Sequence, residues 1–260
     1  MAELITRREG ALGWIVFSNP ARYNALTYEM WRDLPPALAA FDADPAIRAV
    51  VLVGDGEKAF VSGADISQFE KARGTEAARS EYNRTVEEAY LAPIRCTKPV
   101  IAKIRGICMG GGLGLAAACD LRFASADAVF RMPAARLGLG YGFTGMRRFV
   151  QVLGASNTAD IFFSARKFDA AEALRMGLVS RVVPAAEFDR EVDAYCALVA
   201  ENAPLSLIAA KMAIREVLQD AAGRDLGSVQ KAIDACFASG DYREGRTAFM
   251  EKRTPRFQGR

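Results

Sequence analysis

Histidine is missing from all 260 residues of this chain. Its absence removes the commonest general base, the commonest metal ligand and every Ser-His or Cys-His nucleophile, so proton transfer would fall to carboxylates, Tyr, Lys, backbone dipoles or bound water. Cysteine is sparse: Cys96, Cys108, Cys119, Cys196 and Cys236 are odd in number, scattered and without CxxC spacing. Neither a disulfide framework nor a zinc site is suggested, and the five read as reduced core residues. No apolar run approaches the ~18 residues of a membrane span, and the opening MAELITRREG lacks the apolar segment of a signal peptide. No membrane span and a cytoplasmic address are expected. The formal net charge of +3 is too small to imply nucleic acid, although six basic residues face three acids from Asp241 to Arg260.

What is present is an ordinary globular composition, 51% hydrophobic and 25% charged, able to bury a sizeable core. Leu12–Phe17, Ala49–Val53, Val100–Ile104 and Leu121–Phe123 read as strands, interleaved with helices over Thr27–Phe41, Ala78–Leu91 and Gly112–Ala118. Thr27 is placed to cap the first of these. From Ser156 the sequence turns helical, with apolar faces marked by Phe188, Val192, Tyr195, Val199 and by Leu226, Val229, Ile233, Phe237. The short strand Val179–Val183, closed by Pro184, marks a boundary between an α/β core over 1–183 and a helical region over 184–260. Amphipathic helices appended to a complete core point to oligomerisation.

Two segments carry the chemistry. Lys98–Asp120 holds three consecutive glycines, Gly110–Gly112, between an apolar strand and a helix. Such a turn bares N–H groups at a helix N-terminus, where the peptide dipoles favour an anion or a developing oxyanion. The same glycines could instead serve only tight helix–strand packing, and an isolated triplet leaves both readings open. The second segment is Lys58-Ala-Phe-Val-Ser-Gly-Ala-Asp-Ile66. Together the two resemble the enoyl-CoA hydratase/isomerase family, the crotonase superfamily. The likeness extends to Asn19–Leu26, Ala170–Val179 and Glu244–Arg253. It implies a repeated β-β-α core with a helical C-terminal trimerisation region, a homotrimer or hexamer, and fatty-acid metabolism. It also implies an acyl-CoA thioester as ligand, with coenzyme A part of the substrate and no separate cofactor. Carried over, Ala64 and Gly111 each donate an N–H to the thioester oxygen. Arg22, Tyr23, Asp65 and Ile66 lie beside the CoA moiety, and Lys252 reaches its phosphates.

The family's hydratases use two glutamates. By the same resemblance these fall where this chain has Gly114 and Ala134. Loss of an acid–base group costs about 10²–10⁴ in rate, so ordinary hydration is not expected. The segment Pro133–Met146 is similar to the methylmalonyl-CoA decarboxylase branch, which places a tyrosine where Tyr141 falls. Tyr141 could then orient a carboxylate or hydroxyl while the oxyanion hole stabilises the enolate left by CO₂. Arg131 and Arg136 could hold an acidic acyl tail, or be solvated ion-pair partners, and Asp65 and Asp120 read as scaffold residues. Beside an acyl-CoA-processing enzyme that forms an enolate in some other way, the alternatives are decarboxylation involving Tyr141 and a non-catalytic acyl-CoA-binding protein. Side chains within 67–89 and the C-terminal helices are expected to close the acyl pocket.

Overall fold

A computed structural model of the chain describes residues 2–68 and 75–260. The strands are β1 Glu3–Glu9, β2 Leu12–Ser18, β3 Ala49–Gly54, β4 Ala59–Val61, β5 Val100–Ile104, β6 Ile107–Met109, β7 Leu121–Ser125, β8 Val129–Arg131, β9 Lys167–Asp169 and β10 Arg181–Val183. Six of them form one sheet in the order β1-β2-β3-β5-β7-β10, antiparallel between β1 and β2 and parallel elsewhere. The other four form a second sheet, β4-β6-β8-β9, antiparallel only at β8-β9. Each consecutive pair, β3/β4, β5/β6 and β7/β8, therefore sends its first strand to the large sheet and its second to the small one. Helices α2 (Glu76–Arg95) and α3 (Gly111–Ala118) follow the first two pairs. This is the repeated β-β-α core that the resemblance implied.

Strands buried on both faces explain the continuous apolar runs. Val50, Leu52, Val100, Ala102 and Ala124 face the main core, and Val51, Ile101 and Phe123 face the opposite way. That alternation is the period-2 geometry of a strand. Helix α1 (Tyr28–Ala43) starts where Thr27 accepts the Met30 N–H at 3.3 Å and buries Met30, Trp31, Leu34 and Leu38 in the main core.

The later helices are α4 (Phe143–Ser164, broken at Gly154), α5 (Ala170–Arg175), α6 (Phe188–Ala200), α7 (Pro204–Val217), α8 (Leu226–Ala238) and α9 (Gly240–Glu251). Of the two apolar faces read from the sequence, the first packs within the chain. Phe188 and Val192, with Cys196, cover the second face of the large sheet against Trp14, Val51, Ile101 and Phe123. Lys103, buried on β5, meets Asp193 at 2.6 Å and Asp189 at 3.0 Å on α6, so a charge cluster reinforces the apolar contact. The second face stays uncovered: α8 buries no residue, and Leu226 and Phe237 are exposed. Lys211 pins α7 to the core, donating to the carbonyls of Pro93 and Lys98 and pairing with Asp120 at 2.6 Å. Among the described residues no single helix is long and apolar enough to cross a membrane.

Candidate functional site

The two chemistry-bearing turns meet. Ala64 follows β4 and forms an isolated parallel bridge with Leu26. That bridge uses the carbonyl of Gly63, which takes the Leu26 N–H, and the N–H of Asp65, which reaches the Leu26 carbonyl, each at 2.8 Å. In a parallel ladder the groups of the intervening residue point the other way, so the Ala64 N–H is turned from Leu26. Gly111 opens α3, where a first-turn N–H has no helical acceptor. No backbone acceptor among the described residues takes either N–H. A Cβ placed on Gly111 would lie 3.6 Å from the Ala64 nitrogen, which fixes the two backbones side by side.

The three glycines answer to different constraints. Gly110 adopts φ +51°, a backbone that L side chains rarely take. A Cβ on Gly111 would stand 2.9 Å from the Trp31 ring, and one on Gly112 would overlap the Val61 carbonyl at 2.3 Å. Packing and ligand access are therefore both served by the triplet: Trp31 and Val61 press against it, while Gly110 and Gly111 line a cavity.

That cavity, about 650 Å³, includes Ala64, Gly111, Trp31, Tyr82, Glu87, Tyr90, Ala134, Tyr141 and Thr144 in its wall. Tyr141 comes from the turn before α4 and Tyr90 from α2, and the Tyr141 hydroxyl donates to that of Tyr90 at 3.3 Å. The Tyr90 hydroxyl in turn lies 3.4 Å from the Gly111 carbonyl. Burial pushes the Tyr141 phenol up to about 12, against the opposing pull of the Tyr90 hydrogen bond. Tyr141 is thus a neutral hydroxyl at any physiological pH.

Position 114 has no room for a longer side chain. A Cβ on Gly114 would stand 2.3 Å from the Tyr141 hydroxyl oxygen and 2.8 Å from the Tyr90 hydroxyl. The phenols occupy the volume that a longer side chain at 114 would need. Ala134 is buried and lines the cavity.

Of the residues assigned to the CoA moiety, Ile66 lines the cavity beside Ala64 and is exposed. Arg22, Tyr23, Asp65 and Lys252 are not among the lining residues. Asp65 is a brace: burial would raise its carboxyl, but the Ser67 N–H and hydroxyl and the Arg22 guanidinium, 2.6 Å away, outweigh burial and hold it below the usual range. Tyr23 is half-exposed in a left-handed turn. Lys252 closes α9, next to a separate hollow of about 770 Å³ on the C-terminal tail. There Arg253 pairs with Glu244 at 2.7 Å, so the basic excess of the tail is partly neutralised within it.

Asp120 accepts the Val100 N–H at 2.7 Å and the Lys211 ammonium, a scaffold role. Arg131 donates to the Ala165 carbonyl at 2.8 Å, Arg136 is exposed, and neither lines the cavity. Sequence reasoning missed Trp31, Tyr90 and Thr144, and expected pocket-lining side chains within 67–89 without singling out Glu87. Tyr82, Val86 and Tyr90 do recur at four-residue spacing along α2, a periodicity that marks an inward face without saying that the face lines a ligand cavity. Within 67–89, residues 69–74 lie outside the described residues.

Two interlocked sheets of repeated β-β-α units, with two bare N–H groups meeting over a cavity, define a crotonase-type fold. The comparisons with known proteins agree. A model of the enoyl-CoA hydratase/isomerase family matches residues 7–260, and the chain belongs to that family. It is similar to a crotonyl-CoA hydratase from Syntrophomonas wolfei, 32% identical over 98% of this chain and 97% of that one. A probable enoyl-CoA hydratase from Rhizobium meliloti is 36% identical over 99% of this chain and 98% of its own length. Among solved structures, an enoyl-CoA hydratase/carnithine racemase from Magnetospirillum magneticum superposes with a TM-score of 0.93 at 33% identity. It covers all of this chain, which covers 97% of it.

Proposed function

We propose that the Ala64 and Gly111 N–H groups form an oxyanion hole for an acyl-CoA thioester, and that the chain processes such a thioester through an enolate-like state without the two carboxylates of a hydratase. The observation that carries this is the side-by-side placement of the two unaccepted N–H groups at the wall of one cavity. Each such donor is worth roughly 10²–10³ in rate when it meets charge that develops only in the transition state. Arg22, Tyr23, Asp65 and Ile66 sit on or beside the Ala64 turn, which supports a place for them near the CoA moiety. Lys252 could reach CoA phosphates only from outside this chain's own cavity, for instance across an oligomer contact. The uncovered apolar face of α8 supports 184–260 as an oligomerisation region, in keeping with a homotrimer or hexamer.

Tyr141 favours one reaction in particular. A phenol that keeps its proton and occupies the volume beside Gly114 can orient a carboxylate or donate to it, but it is a poor base. Decarboxylation needs no base. The carbon–carboxylate bond breaks, its electron pair enters the thioester carbonyl as an enolate, CO₂ leaves, and the α-carbon is protonated from water.

The test is a thioester panel. Purified protein should release CO₂ from a malonyl-type thioester, more slowly as Tyr141→Phe, and should leave crotonyl-CoA unhydrated. Efficient crotonyl-CoA hydration would overturn the argument from Gly114 and Ala134. Saturable thioester binding with no conversion across the panel would establish a binding protein instead.

A further inference from the structure

One carboxylate does line the cavity, from a helix the family's acid–base pair does not use. Glu87 lies on α2, one turn before Tyr90, and the Thr144 hydroxyl at the start of α4 donates to its Oε1 at 2.5 Å. It is the only carboxylate that lines the cavity among the described residues. Among the described residues no cation neutralises it. Arg79, the one basic residue in the described lining, lies eight residues earlier on the same helix, about 12 Å along the axis, and Glu87 makes no ion pair among the described residues. Its second oxygen, Oε2, has no hydrogen-bond partner among them either.

Glu87 is exposed, so water can satisfy it. An acyl chain filling the cavity displaces that water. A plain alkyl chain lying against Glu87 covers part of the carboxylate and offers no donor in exchange, a cost that an occupant carrying a donor avoids. Tyr90, three residues on, is the group that reaches the Gly111 carbonyl, so Glu87 stands about one helical turn along α2 from the proposed thioester grip.

We propose that the Glu87–Thr144 pair is an acyl-recognition subsite, selecting acyl-CoA thioesters whose chain carries a hydrogen-bond donor, a hydroxyl or an ammonium, a few carbons beyond the carbonyl. This rests on the cavity being the acyl-CoA site. The pair sets specificity by differential desolvation: it rewards a donor and penalises a bare hydrocarbon of the same length. Thr144 fixes one carboxylate oxygen so that the other faces the occupant.

Equilibrium affinities decide the matter, measured by calorimetry on the full chain with butanoyl- to octanoyl-CoA and the matching ω-hydroxy thioesters. At one chain length the hydroxylated ligand should bind about tenfold to a hundredfold tighter than its plain counterpart. Glu87→Leu should collapse that ratio to near unity, and it should do so partly by tightening the plain chain. A residue serving only proton transfer would not tighten it. Thr144→Val should lower the ratio in the same direction while leaving the carboxylate in place. A wild-type ratio near unity at every length, or a preference that survives Glu87→Leu, overturns the subsite while the acyl-CoA reading stands. If no thioester binds better than free coenzyme A, the acyl-CoA reading itself fails and takes the subsite with it.

Discussion

Replacing Gly114 by alanine tests the packing on which the reading of the site depends. In an exposed helix the change would stabilise by about 1 kcal/mol, because glycine is the poorer helix former. Here the new methyl would stand 2.3 Å from the Tyr141 hydroxyl and 2.8 Å from Tyr90, so both phenols must retreat by roughly 1 Å to reach ordinary contact. Tyr141 has little room to do so. Its ring packs edge-on against Phe149 and Phe162 with centroids 5.9 and 5.1 Å away. Overpacking of this kind costs about 1–3 kcal/mol, which exceeds the propensity gain at most of that range. The expected net effect is a loss of about 1 kcal/mol, read from the midpoint of equilibrium urea unfolding at fixed protein concentration. Intrinsic fluorescence is a suitable probe because Trp31 packs edge-on against Tyr90 at 5.5 Å. Repeating the substitution in a Tyr141→Ala background should remove much of the penalty and give a measurable coupling energy. A stabilising Gly114→Ala, equal in the two backgrounds, would show that Tyr141 does not occupy the space beside residue 114.

Other consequences follow from the same contacts. The Tyr141 phenol, raised to about 12 by burial from an ordinary 10.0, titrates later in the folded chain than in the unfolded one. Its contribution is fully present below pH 10 and is lost as pH rises toward 12, because the unfolded state sheds the proton first. Wild type should lose about 1–2 kcal/mol more than Tyr141→Phe over that window, with the late phenolate seen by ultraviolet absorbance. Identical pH dependence in the two proteins would contradict its burial. Lys211→Met should destabilise by about 2–4 kcal/mol, because it strips Asp120 of its cation and leaves the Pro93 and Lys98 carbonyls without their donor. A change within 0.5 kcal/mol in chemical denaturation would refute that anchoring role.

Much of the fold was legible because its parallel strands are buried on both faces and its helices carry conventional signals. Ala49–Val53 is apolar without interruption, Val100–Ile104 is broken only by Lys103, and Thr27 caps α1 as its side-chain chemistry dictates. The glycine turn was legible too, since only a backbone with special demands keeps three glycines together. The small sheet was hidden: Ala59–Val61, Ile107–Met109 and Val129–Arg131 are three residues each, too short for period-2 alternation to show. The acyl side of the site was harder still. Glu87 lies among Glu81, Arg84 and Glu88, which are all exposed, and its neighbours on α2 look like a solvated face. The approach of Thr144, 57 residues away, and of the turn before it brings that carboxylate, itself exposed, into the wall of a cavity.

The same geometry changes what it would take to build a hydratase here. From the sequence alone, Gly114→Glu with Ala134→Glu restores the missing pair and should raise hydration. The structure disagrees at one of the two positions. Ala134 lines the cavity, so a longer side chain there projects into open volume, whereas the first atom beyond Cα at 114 already collides with two phenols. A glutamate forced into that space would either displace the rings from their packing or be expelled from the position in which it could act on water. Catalytic geometry tolerates little of this, since a misplacement of about 1 Å can cost 10²-fold. The double variant should therefore hydrate crotonyl-CoA no faster than the parent. The same pair combined with Tyr141→Ala and Tyr90→Leu should show a gain, followed by loss of the enoyl-thioester absorbance. Activity in the double variant without removal of the tyrosines would mean that the phenols yield readily, and that Tyr141 is a movable occupant of the site rather than a fixed one.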